Sequence, residues 1–126
     1  MFNRKWIACA ALLGTAAILV AQGVVRLEAR MANGAASGKA KYKLSTRAGR
    51  QIQEELEFEA EDLMPNTEYT MTVGGLPVGT AMTNGFGAFA WSKRTLRNPR
   101  YSVSVGTPVT VENLDGVALS GAFAAR

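Results

Sequence analysis

Three stretches of this 126-residue chain carry side chains of the kind that do chemistry. The first is the acidic run Glu54-Glu55-Leu56-Glu57-Phe58-Glu59-Ala60-Glu61-Asp62. Paired carboxylates perform acid–base work or bind calcium. Here glutamates alternate with apolar residues, so Glu55, Glu57, Glu59 and Glu61 fall in a row along one face of a strand. A row is not a convergent cage. Lys39, Lys41 and Lys43 form a matching row on the preceding segment. A connection centred on Ala48 sets Lys41 opposite Glu55 and Lys39 opposite Glu57. Such exposed cross-strand pairs each contribute about 0.2–1 kcal/mol. Glu54 has the inward parity of the core residues and marks a bulge or the frayed start of the strand.

The second stretch is basic: Lys93, Arg94, Arg97 and Arg100, followed by Tyr101. Ser92 to Tyr101 reads as the longest irregular connection of the chain, and long loops often carry function. Cations beside an aromatic ring suit an anionic partner such as polysaccharide, lipid head groups or nucleic acid. The plainer role is a solvated loop that keeps the protein soluble. The third stretch is Asn84-Gly85-Phe86-Gly87-Ala88-Phe89-Ala90-Trp91. Gly85-Phe86-Gly87 resembles a fragment of a phosphate loop, but no helix follows to offer its N-terminus. Gly85 serves a turn and Gly87 lies where a strand crosses something bulky. Phe89 and Trp91 have core parity. Phe86 has the opposite parity, which makes it a candidate exposed contact for a sugar or a partner.

What is missing narrows the chemistry. There is no histidine, and Cys9 is the single cysteine. The usual general base, the triad imidazole and the usual zinc ligand are therefore absent, and thiolate ligands are expected to leave with Cys9, which falls in an N-terminal segment that reads as a cleaved export signal. No serine–lysine or carboxylate motif replaces them. The chain reads as a non-enzyme without a cofactor or a metal.

The elements that hold these stretches are strands. Apolar and polar residues alternate in segment after segment, the period of a half-buried strand. Val25, Leu27, Ala29 and Met31 share one face; so do Ala40, Tyr42 and Leu44; so do Tyr69, Met71 and Val73. Asn33-Gly34, Gly74-Gly75, Asn84-Gly85 and Asp115-Gly116 punctuate them. Register follows from parity, because paired strands must turn their apolar residues to one side. A two-residue Gly74-Gly75 turn sets Val73 against Leu76 and Met71 against Val78. A two-residue Asn84-Gly85 turn sets Thr80 against Phe89 and Val78 against Trp91. A three-residue Leu114–Gly116 loop sets Val111 against Leu119. The expected fold is all-β, a small antiparallel sandwich of about seven or eight strands, or a small barrel.

The string Leu63-Met64-Pro65-Asn66-Thr67-Glu68-Tyr69-Thr70-Met71-Thr72-Val73 resembles the tyrosine-corner segment of fibronectin type III and related immunoglobulin-like sandwiches. The resemblance implies that Leu63 packs in the core, Pro65 stiffens the corner and the Tyr69 hydroxyl bonds to nearby backbone. It implies a sandwich and no function. The Gly74-Gly75 hairpin straight after the strand departs from the fibronectin pattern.

The N-terminus reads as an export signal. Arg4-Lys5 precedes an uncharged apolar run from Trp6 to Ala21, which forms a signal helix. Small residues at Ala21 and Gly23 place the cut after Gly23, with a cut after Ala21 as second choice. An uncleaved membrane anchor is the main alternative, since Trp6 to Val25 is about the 20 residues needed to cross a bilayer. A lipoprotein signal at Cys9 lacks the usual leucine and the room for an apolar core. Cleavage removes Cys9, Arg4 and Lys5, leaving 12 basic against 10 acidic residues, and the net charge falls from +4 to +2. The basic balance is then weak support for nucleic acid binding. A small exported domain without disulfides fits a bacterial periplasmic or extracellular protein better than an animal secreted one. The expected role is structural, adhesive or partner-binding at the cell envelope. The partner would be a protein or polysaccharide, or a copy of the chain paired along an exposed strand edge. The alternative role is a small ligand-binding or inhibitor protein.

Overall fold

The computed structural model describes residues 23–46, 52–96 and 100–126, all without helix. The residues read from the sequence as an export signal lie outside them, except Gly23, which opens the first strand. Among the described residues nine antiparallel strands form two sheets: β1 (Gly23–Asn33), β2 (Ala36–Thr46), β3 (Ile52–Glu61), β4 (Glu68–Val73), β5 (Leu76–Met82), β6 (Phe89–Leu96), β7 (Pro108–Asn113), β8 (Gly116–Ala122) and β9 (Ala124–Ala125). One sheet has the order β6-β3-β2-β1-β9 and the other β5-β4-β7-β8. The strand count exceeds the expected seven or eight because the chain crosses back after Phe123 and adds β9 beside β1.

Alternation decides which side faces in. Leu27, Ala29 and Met31 of β1, Ala40 and Tyr42 of β2, and Leu56, Phe58 and Ala60 of β3 are buried. They meet Tyr69, Met71, Val73, Val109, Val111 and Leu119 from the other sheet in one core. Aromatic contacts lock the two sheets together. Tyr69 stacks on Phe89 at a centroid distance of 6.5 Å, and Tyr42 meets Phe123 edge-on at 6.4 Å. Such pairs add about 0.5–1.5 kcal/mol beyond their area.

The hairpins follow parity with local exceptions. Val73 faces Leu76 across Gly74-Gly75, whose φ values of 61° and 84° are those a type I′ turn needs. A bulge then places Met71 opposite Gly79, not Val78. Val111 faces Leu119 as expected, but the loop is shorter than three residues: Asn113 pairs with Gly116, and a bulge beyond Val111 takes up the extra residue.

Two expected registers are wrong. Lys41 faces Glu57, Lys39 faces Glu59 and Lys43 faces Glu55, a slip of two residues from the expected pairing. A shift of two keeps every side chain on its face, so parity cannot separate the two registers. The hairpin about Asn84-Gly85 does not form. β5 and β6 belong to different sheets, and Thr80 and Phe89 are not paired. β5 instead crosses over β6, where a Cβ on Gly79 would come within 2.6 Å of the Trp91 ring.

Candidate functional site

The loops at one end of the domain are stitched into a rigid cap. Leu63 N–H donates to the Gly87 carbonyl at 3.0 Å, Asn66 N–H to Asn84 at 3.1 Å, and Thr83 N–H to Thr67 at 2.9 Å. Thr83 is nearly fully buried, and its hydroxyl donates to the Met64 carbonyl at 2.6 Å and accepts from Thr67 N–H at 2.9 Å. The Asn84 side-chain oxygen accepts from the N–H groups of Phe86 and Ala88, at 2.8 and 3.1 Å. So Asn84 folds a loop on itself and does not turn a hairpin. Asp62 and Asn66, residue types that tolerate left-handed backbone, bend the chain from β3 to β4 at φ of 60° and 52°. The Tyr69 hydroxyl accepts from Met64 N–H at 3.2 Å, the bond that the tyrosine-corner resemblance implies.

This cap presents apolar side chains to solvent. Phe86 is 86 % exposed, as its parity suggested, and Met64 is about half exposed. Leu114, at the β7–β8 turn, is fully exposed. The same end is reached by the β1–β2 turn, since the Asn33 side chain donates to the Ala118 carbonyl at 3.0 Å. A cleft of about 270 Å³ opens there, lined by Leu63, Met64, Tyr69, Ala36, Asn113 and Val117 among others.

The basic candidates are not gathered on one loop. Lys93 and Arg94 lie within β6, opposite Leu56 and Glu55 of β3. The strand period simply continues through Trp91, Lys93 and Thr95, and the charges disguised it. Lys93 and Arg94 therefore point to opposite faces. Arg94 pairs with Glu55 at 3.3 Å. Tyr101 is half-buried against the core, not a free ring. Arg97 lies outside the described residues. Arg100 is exposed, but its backbone is held in place.

What holds Arg100 is Glu54. This carboxylate is fully buried and continues the β2–β3 ladder without a bulge. It accepts the Tyr42 hydroxyl at 2.7 Å, Arg100 N–H at 2.7 Å and Tyr101 N–H at 3.2 Å. Buried charge is tolerated when its lone pairs are filled this way. The sequence flagged the inward parity of Glu54 but not its partners. Thr95, its neighbour across the ladder, has a buried hydroxyl with no partner. Burial first, then the bond to Glu54 and its charge, hold the Tyr42 phenol far above its ordinary value of 10.0. Tyr101 is raised too, by burial and then by the Glu54 charge, with Arg100 opposing.

The sign of the pH effect follows. Below about pH 10 the phenol of Tyr42 is neutral in folded and unfolded chains alike, and its contribution is complete. Above that pH the unfolded chain loses the proton and the folded chain keeps it, so stability falls. One such group adds up to about 1.4 kcal/mol per pH unit to the decline. Tyr42→Phe is expected to flatten the fall in stability above pH 10 by about that slope. Urea unfolding across that range measures it; an unchanged slope would assign the alkaline loss to other groups.

The outer face of the five-stranded sheet carries the lysine and glutamate rows. Among the described residues the ion pairs within contact distance are Glu28–Arg30, at 3.1 Å, and Glu55–Arg94. The opposed lysines and glutamates face each other at longer range. Among the described residues, no three acidic side chains are placed to hold a metal ion. No family model matches the chain, and neither a curated protein nor a solved structure matches it.

Proposed function

We propose that the chain is the non-catalytic β domain of an exported protein, an immunoglobulin-like sandwich that binds a partner at the cell envelope through its loop cap. Export rests on the charged start and apolar run of residues 1–23. The compartment is periplasmic or extracellular, with membrane anchoring as the alternative if that segment is retained. The sandwich reading is supported by the Tyr69 hydroxyl bonded to Met64 N–H. The binding reading is carried by one observation: Phe86, Met64 and Leu114 stand exposed at one end of the domain, Phe86 and Met64 on loops tied together by backbone bonds and Leu114 on the tight β7–β8 turn. Rigid apolar anchors lose little entropy on docking, which is what binding hot spots need.

Phe86→Ser with Leu114→Ser is expected to weaken capture of the partner from the protein's own envelope fraction at least ~10-fold, with the fold unchanged. Equal capture by wild type and variant would remove the cap from the interface. A second reading, a small-molecule carrier or inhibitor, draws on the cleft beside Met64. Its volume of about 270 Å³ falls just under the range of about 300–1,000 Å³ typical of ligand sites, which favours a partner's side chain as the occupant.

A further inference from the structure

The charges of the domain are sorted along the strands. At the end where Gly23 opens β1 stand Arg26, Lys43, Lys93, Arg94, Arg100 and Arg126, against only Glu54 and Glu55. Arg126 belongs here because its N–H donates to the Arg26 carbonyl at 3.2 Å, and Arg100 because its N–H is bonded to Glu54. At the opposite, capped end stand Glu59, Glu61, Asp62, Glu68, Glu112 and Asp115, against Arg30 and Lys39. The middle row holds Glu28, Lys41 and Glu57. Among the described residues the nine basic and ten acidic side chains nearly cancel in sum, yet they are sorted into one basic pole and one acidic pole. Glu54 is buried and Glu55 is paired with Arg94, so little negative charge offsets the basic pole.

The basic pole is also apolar. Val24, Val25 and Leu96 are each about half exposed there. This is the end at which residues 1–22, with their uncharged run from Trp6 to Ala21, join the domain. Basic side chains around exposed aliphatic ones match the chemistry of a lipid surface: cations on the phosphates, aliphatic groups at the edge of the acyl region.

We propose that the basic pole docks on an anionic lipid bilayer, which sets the strands upright and carries the Phe86 cap away from the membrane. The docking rests on the export reading, since export brings the domain to a bilayer surface. It does not depend on the cap, which lies at the other pole.

The test uses residues 23–126, the chain that the export reading leaves after its cut; among the described residues every buried apolar side chain lies between Leu27 and Phe123. Binding to vesicles of phosphatidylcholine alone is compared with vesicles containing about 30 % phosphatidylglycerol, by sedimentation at low salt. At least ~10-fold tighter binding to the anionic vesicles is expected, lost at about 0.5 M salt. Arg26→Glu with Arg94→Glu should remove that preference, whereas Arg30→Glu with Lys39→Glu, the same change in net charge at the acidic pole, should leave it within about twofold. Equal binding to both vesicles overturns the proposal whether or not the variants fold. So does an equal loss in both charge variants, or binding to heparin in place of vesicles. Phe86→Ser with Leu114→Ser should bind vesicles like wild type, so failure of the cap and failure of the pole are told apart.

Discussion

Gly87→Ala is expected to be the most destabilising single change in the loop cap, removing a large share of the domain's stability. A Cβ at this position would lie 1.9 Å from the Leu63 carbonyl oxygen and 3.0 Å from the Leu63 nitrogen. These are backbone atoms, so no side-chain rotation relieves the overlap. The φ of 77° adds about 1–2 kcal/mol for any residue with a Cβ. Relief requires moving the loop off Leu63, which breaks the Leu63 N–H bond to Gly87 and loosens the neighbouring turn that carries the Met64–Tyr69 bond. A cost above about 4 kcal/mol follows, against a total stability of roughly 5–15 kcal/mol for a domain of this size. The urea midpoint should collapse. Gly85→Ala, two residues away, is the control: nothing lies within 4 Å of its Cβ, and the change should cost little. Similar midpoints for the two variants would mean that the close approach at Leu63 is not what holds the cap.

Glu54→Ala is expected to be the second most damaging change. It strands the Tyr42 hydroxyl and the N–H groups of Arg100 and Tyr101. Each donor left unsatisfied costs about 1–3 kcal/mol, and a void replaces the side chain. A loss of about 3–5 kcal/mol is expected. The loss should have a local signature as well: amide exchange at Arg100 and Tyr101 should accelerate before the strands open. Glu54→Gln keeps the volume and one acceptor but turns an amide donor toward N–H groups, and about half of the loss should remain. Unchanged exchange at residues 100–101 in Glu54→Ala would show that the segment is held by packing alone.

The sequence makes the strands legible but not their long-range partners. Alternation is local, so the inward faces of β1 to β4 follow directly, and so do the pairings of Val73 with Leu76 and Val111 with Leu119. A uniform row of lysines against a uniform row of glutamates looks the same after a slip of two, so the β2–β3 register was degenerate. Asn84-Gly85 has the residues of a tight hairpin turn, but Asn84 spends its side chain on Phe86 and Ala88, and Gly87 is drawn to Leu63. That bond joins residues far apart in sequence, and no local pattern announces it. Lys93 and Arg94 misled for the reverse reason: their charge suggested a loop while their spacing kept the strand period. Glu54 was visible as an anomaly of parity, and its meaning lay in the backbone of Arg100, 46 residues away. Phe86 was readable because exposure and parity agree in it.

The seam between β1 and β9 has a mechanical consequence. β1 begins at Gly23, and the chain comes back antiparallel beside it, with Leu27 paired to Ala125 and Arg126 bonded to Arg26. A pull applied across Gly23 and Arg126 would therefore peel the two strands apart starting from that end of the seam. The bonds would break one after another, as in a zipper, instead of sharing the load in shear. Such a domain yields early when strung in series under tension. It suits a side branch that presents a surface better than a link in a chain that must bear force.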